Sequence, residues 1–152
     1  MEKVLISMML VFLTAGFSHA ENRIAIKDAW VREVPPASSI TAVYFTIENQ
    51  GNEDDKLVDV SSEISGSAEI HVTTVDDKSV AKMEMKKEID IPKGETIELK
   101  PGGAHIMLID LKEPLTDKNE IDLDLTFAKA GDVEIKAVVL GIDDDHGKHN
   151  HH

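Results

Sequence analysis

The chain has 152 residues, a formal net charge of −13 and no cysteine. The acidic balance argues against nucleic acid and anionic lipid as partners, because both are bound mainly through Lys and Arg. Without thiols the chain forms no disulfide, and any metal site must use His, Met or carboxylate side chains. A chain of this length corresponds to one domain with a substantial core.

Residues 1–20 have the pattern of a secretory signal peptide. Lys3 supplies a positive charge, residues 4–17 form an apolar run, and Ser18-His19-Ala20 is a small-x-small cleavage site. The run is shorter than the roughly 20 residues that a membrane-spanning helix requires. We therefore expect a periplasmic or secreted, monomeric protein without a membrane span after cleavage, whose folded domain covers residues 21–141.

Short segments of alternating polar and apolar residues follow one another along the rest of the chain. Extended structure is predicted for residues 24–26, 29–31, 40–48, 57–60, 68–75, 80–86, 96–99, 104–111, 120–127 and 133–140. Turn residues such as Pro101-Gly102-Gly103 separate these segments. No segment has a helical period. The pattern predicts an all-β fold, an antiparallel sandwich or barrel with Greek-key connections. Trp30 is interpreted as a core residue.

All the histidines and methionines of the expected domain lie between residues 71 and 107. They are His71, Met83, Met85, His105 and Met107. A set of imidazoles and thioethers without thiolate is suited to copper, and the soft thioethers favour Cu(I). The clustering therefore indicates a copper site.

The predicted strands allow these side chains to meet. His105 and Met107 are two residues apart and share one face of a strand, and His71 points away from the apolar face of its own strand. Met83 and Met85 share one face of a third strand, which lies in sequence between the strands of His71 and His105. A single Met on a strand is more often a core residue than a ligand, so Met85 is either a core filler or a secondary ligand.

The spacing of these residues resembles the copper-binding motif of the PCuAC family of periplasmic copper chaperones. That motif reads His, a position that accepts Met, ten residues, Met, 21 residues, His, any residue, Met. His71, Met83, His105 and Met107 match it without a gap, and Val72 occupies the optional Met position. Segments 28–32, 44–49 and 101–108 are also similar, so the likeness covers about residues 24–141.

The resemblance implies a cupredoxin-like, immunoglobulin-like β-sandwich that binds Cu(I) through these four residues. In the family, copper passes toward the binuclear copper site of cytochrome c oxidase, often together with a thiol-bearing assembly protein. The partners expected by resemblance are therefore such an oxidase assembly factor or cytochrome oxidase subunit II.

The C-terminal residues 142–152 form a second candidate metal site. Four imidazoles follow three aspartates there, contributed by His146, His149, His151 and His152. Imidazole and carboxylate bind Cu(II), Zn(II) or Ni(II), and some PCuAC members have a His-rich end that binds Cu(II). Residues 143–152 are polar and contain no apolar residue that could anchor the tail, so disorder is expected. Interruptions such as Gly147 and Lys148 favour a native tail over an expression tag.

Three alternatives remain open at this level. The same ligands suit a periplasmic copper storage or resistance protein. Cleavage after Ser18 would make His19 the first residue and allow a copper enzyme with an N-terminal His brace. An adhesion or interaction sandwich would leave the clustering of His and Met unexplained. No Ser/His/Asp set is evident, so we expect no catalytic activity.

Overall fold

The computed structural model describes residues 23–116 and 118–141, in which all regular secondary structure is β-strand. Within these ranges no helix has the length and apolar character that crossing a bilayer requires. The strands are β1 (Ile24–Arg32), β2 (Ile40–Asn49), β3 (Asp55–Ser61), β4 (Ser65–Val75), β5 (Ala81–Lys86), β6 (Ile89–Ile91), β7 (Thr96–Glu98), β8 (Ala104–Leu111), β9 (Glu120–Phe127) and β10 (Gly131–Leu140).

The strands form one continuous sheet in the order β5-β4-β8-β2-β1-β10-β9-β3-β6, with β7 paired to β2 beside this path. The pairs are antiparallel except β1 and β10, which run parallel with Trp30 opposite Val138. This one pair departs from the antiparallel pairing that the sequence predicts. Parallel neighbours need a long connection between them, and here the whole domain forms that connection.

Alternation along the strands places the core between the two halves of the sheet. On β2, Val43, Phe45 and Ile47 are buried, and on β9 Ile121 and Leu125 are buried in the same hydrophobic cluster. Because successive side chains on a strand point to opposite faces, the residues between the core positions face outward. The predicted all-β sandwich is confirmed. The outer face of the half that contains β5, β4, β8 and β2 is available for a site.

Two segments differ from the prediction. Residues 24–26 and 29–31 belong to one strand, β1, which has an irregularity between Lys27 and Trp30 and a positive φ of 52° at Asp28. β6 (Ile89–Ile91) was not predicted, because three residues are too few to give a recognisable alternation. Ile91 is nevertheless fully buried, opposite Asp55 of β3.

Substituting a buried and an exposed isoleucine tests which side chains belong to the core of the sandwich. Ile121 is 3% exposed, so Ile121→Ala should lower the free energy of unfolding by about 2–5 kcal/mol through lost burial and a cavity. Ile40 is 46% exposed, and Ile40→Ala should cost about 1 kcal/mol or less. Urea denaturation measures both values. Equal losses would contradict the burial described here.

Candidate metal centre

Two histidines meet across the β4–β8 pair. His71 of β4 lies directly opposite His105 of β8. Their rings are stacked, with centroids 5.7 Å apart and an angle of 27° between the ring planes. His105 is 5% exposed, and the side chain of His71 is 14% exposed. The structure therefore brings together, on the outer face of the sheet, two imidazoles that are 34 residues apart in sequence.

Two methionines border this imidazole pair. Met107, two residues after His105 on β8, lies opposite Glu69 of β4. Met83 of β5 lies opposite Thr73 of β4 and is 51% exposed. Met83, His105 and Met107 line one open cleft of about 380 Å³. One side of the candidate site is thus formed by a thioether that solvent can reach.

The turns before β5 and β8 set the positions of the ligand-bearing strands. The turn ahead of His105 has Gly102 at a φ of 83°, a conformation that side chains disfavour, and the Lys100 N–H donates to the Ala104 carbonyl. In the β4–β5 hairpin, Asp76 Oδ1 accepts the N–H groups of Lys78 and Val80 at 2.8 and 2.9 Å. Short polar turns therefore determine which residues face each other.

An aromatic and cationic row extends from His105 across the same face. The ring centroid of Tyr44 lies 6.2 Å from that of His105 and 4.5 Å from that of Trp30. The Arg32 guanidinium carbon lies 5.9 Å from the centre of the Tyr44 ring. Arg32 and Tyr44 line the same cleft as His105, Met83 and Met107.

The interpretation of Trp30 as a core residue is wrong. Regular alternation from Ile24 and Ile26 would direct Trp30 inward, but the irregularity between Lys27 and Trp30 reverses the faces of the residues that follow it. Val31 is consequently fully buried, and Trp30 packs on Tyr44 at the outer face. Tyr44, which lines the same cleft as His105, was not expected beside the candidate site.

The surroundings of His105 favour its neutral ring. Burial lowers the pKa of His105, the nearby His71 lowers it further, and the bond to the Gly103 carbonyl oxygen opposes both. His105 Nδ1 lies 3.3 Å from that oxygen. Because only neutral imidazole binds a metal ion, a lowered pKa keeps His105 competent to bind at more acidic pH.

The other predicted ligands lie outside the cleft of Met83 and Met107 or outside the described residues. Met85 lies directly opposite His71, but it lines a separate cleft of about 240 Å³ with Glu69 and Lys86. The structure therefore does not bring it into the cleft of Met83 and Met107. The tail residues His146, His149, His151 and His152 lie outside the described residues.

Sequence reasoning did not identify Glu69 as part of the site. Its carboxylate Oε2 lies 2.8 Å from His71 Nε2. The signal was present in the alternation of β4, because Glu69 precedes His71 by two residues and shares its face.

The chain matches a known family over nearly all of its described residues. Residues 24–139 match the model described as "Putative lipoprotein LpqE-like". The chain belongs to this family. A relative from Leifsonia xyli subsp. xyli, named "Putative lipoprotein Lxx21020", is 32% identical over 105 residues, which are 69% of this chain and 62% of the relative. The chain thus spans about three fifths of that relative's length.

Solved structures of PCuAC domains have the same fold. The apo PCuAC domain from PmoF1 superimposes with a TM-score of 0.66 at 29% identity, covering 81% of this chain and 97% of that domain. The solution structure of Cu(I)-DR1885 from Deinococcus radiodurans gives 0.64 at 27% identity, covering 84% and 85% of the two chains. The resemblance to PCuAC proteins is confirmed for the domain as a whole.

The environment of His105 predicts its titration. His105 should take up a proton at a lower pH than the same residue in the urea-unfolded chain, where the pKa is about 6.5. Since the unfolded state binds the proton first, the stability due to neutral His105 is complete above about pH 6.5 and is lost as the pH falls through the folded-state pKa. NMR of the metal-free protein follows the His105 ring. A midpoint at or above the unfolded value would contradict this account.

Proposed function

We propose that this protein is a copper chaperone that binds one Cu(I) ion as cargo through His71, Met83, His105 and Met107. The main supporting observation is the cross-strand imidazole pair, with ring centroids 5.7 Å apart, beside a cleft that Met83 and Met107 line. Two imidazoles and two thioethers form a neutral, partly soft ligand set, which suits Cu(I) better than harder cations.

Release follows from the same ligand chemistry. No thiolate contributes negative charge to hold the ion, so a Cys-containing acceptor binds Cu(I) more strongly and can take it by ligand exchange. Met83 is 51% exposed and offers an acceptor a ligand that can be replaced without opening the core. This exposure favours transfer over long-term storage, which would be better served by an enclosed site.

The relatives support the general role. The neighbouring structures are PCuAC domains, one of them from PmoF1, and the Deinococcus radiodurans protein was solved with Cu(I). The Leifsonia relative is named as a lipoprotein, in keeping with an exported, envelope-associated protein. We further propose a periplasmic location and delivery of copper toward the binuclear site of cytochrome c oxidase, with a thiol-bearing assembly factor or oxidase subunit II as acceptor.

The His-rich tail supplies a second part of the proposal. His146, His149, His151 and His152 provide harder ligands than the thioethers, so we assign Cu(II) to the tail and Cu(I) to the domain. The two oxidation states would then occupy separate parts of the chain.

Replacing single methionines tests the ligand assignment. Met107→Leu preserves shape and should cost less than about 1.5 kcal/mol of stability. Its Cu(I) affinity should fall by at least roughly tenfold, since loss of even an outer-sphere partner typically costs 10–100-fold. Met85→Leu is the comparison variant, because Met85 lies opposite His71 but lines a different cleft, and it should lose less Cu(I) affinity than Met107→Leu. Competition titration under reducing conditions measures both variants. Equal affinities for Met107→Leu and the parent would remove Met107 from the site.

Truncation separates the two metal sites. Deleting residues 143–152 should abolish Cu(II) binding and leave Cu(I) binding nearly unchanged, because the domain retains its two imidazoles and two thioethers. X-ray absorption of the truncated Cu(I) protein should show both nitrogen and sulfur around the metal. Loss of Cu(I) binding on truncation, or a first shell without sulfur, would contradict the assignment.

A further inference from the structure

The two ring nitrogens of His71 have different surroundings. Nε2 lies 2.8 Å from Glu69 Oε2, so a neutral His71 ring places its proton on Nε2 and donates it to the carboxylate. Nδ1 is buried and has no hydrogen-bond partner; among the described residues no other buried side-chain nitrogen or oxygen lacks one. Such an unpartnered acceptor is destabilising, and a metal ion would satisfy its lone pair.

His105 has the opposite arrangement. Its Nδ1 lies 3.3 Å from the carbonyl oxygen of Gly103, which can only accept a hydrogen bond. A neutral His105 ring therefore carries its proton on Nδ1 and leaves the lone pair of Nε2 available. The same carbonyl accepts the Thr73 N–H of β4 at 3.1 Å, so the backbone fixes its position relative to both strands.

Glu69 is not among the residues that line the candidate copper cleft. Glu69 and Met85 line one cleft, whereas Met83, His105 and Met107 line the other. The Nε2 atom of His71 is thus occupied by a residue that lines the other cleft. The side chain of Glu69 is 35% exposed. Its backbone position is fixed by the pairing of β4 with β8, in which Glu69 lies opposite Met107.

We propose that Glu69 is a positioning residue that fixes His71 as its Nε2–H tautomer, so that His71 binds Cu(I) through Nδ1 while His105 binds through Nε2. This inference rests on the proposed function. Metal-bound histidines commonly donate their second ring N–H to a carboxylate or a backbone carbonyl, which orients the ring. Here His71 uses the carboxylate of Glu69 and His105 uses the carbonyl of Gly103. The two rings therefore bind the same ion through different nitrogens, Nδ1 of His71 and Nε2 of His105.

NMR of ¹⁵N-labelled mature protein observes these nitrogens directly, because Cu(I) is closed-shell. In the metal-free parent, His71 should carry its proton on Nε2 and His105 on Nδ1. Addition of Cu(I) should shift the ¹⁵N signals of His71 Nδ1 and His105 Nε2, while the other nitrogen of each ring keeps its proton. A Cu(I) complex in which His71 Nε2 loses its proton and binds the metal would overturn the inference.

Variants of Glu69 test the positioning role. Glu69→Ala should lower Cu(I) affinity by roughly 10–100-fold and expose the His71 Nε2–H to fast exchange with water. Glu69→Gln retains an acceptor oxygen and should restore most of the affinity and the protected N–H. Glu84→Gln is the control for loss of charge, because Glu84 of β5 pairs with Lys82 and Lys86 rather than with histidine; it should bind like the parent.

The outcomes distinguish two kinds of failure. If parent and Glu69→Ala bind Cu(I) equally and show the same His71 proton exchange, Glu69 has no positioning role, although the proposed function stands. If addition of Cu(I) leaves the ring ¹⁵N signals of both His71 and His105 unchanged in the parent, the copper site and this inference are both wrong. An equal loss of affinity in Glu69→Gln and Glu69→Ala would assign the effect to charge and overturn the hydrogen-bond account.

Discussion

The register between β4 and β8 is the constraint on which the candidate site depends. It places His71 opposite His105 and Glu69 opposite Met107. Because side chains alternate between the two faces of a strand, a slip of β4 by one residue would turn His71 toward the core and away from His105. The register is fixed from the inner face, where Ile70 and Ile106 lie opposite each other and are buried. The hydrophobic core therefore also determines the geometry of the polar site.

The outer face adds an asymmetric environment to this register. On the β2 side, the Tyr44 ring lies 6.2 Å from the His105 ring, and burial lowers the pKa of His105. On the β5 side, Met83 is half exposed. One part of the site is thus buried and kept neutral, and another part is open to solvent. Such a division suits the proposed binding and release of Cu(I).

Most of the fold could be predicted from the sequence because alternation with period two is a local property. The bounds predicted for residues 104–111 and 120–127 agree with β8 and β9. The faces of His71, Met83, His105 and Met107 also followed from alternation, and their spacing indicated the family resemblance. The three-residue β6 gave too little pattern to detect, and the parallel pairing of β1 with β10 depends on the path of the whole chain.

The sequence by itself determined the ligand types, the strands that bear them and the absence of thiol chemistry, because these depend on composition and local period. Only the tertiary structure decided which side chains meet. It placed Met83 and Met85 in different clefts although they share a face of β5. It turned Trp30 outward through the irregularity in β1, and it joined the Glu69 carboxylate to His71 Nε2. These outcomes depend on register, bulges and side-chain rotamers set by contacts between distant strands, and such contacts leave no periodic signal in the sequence.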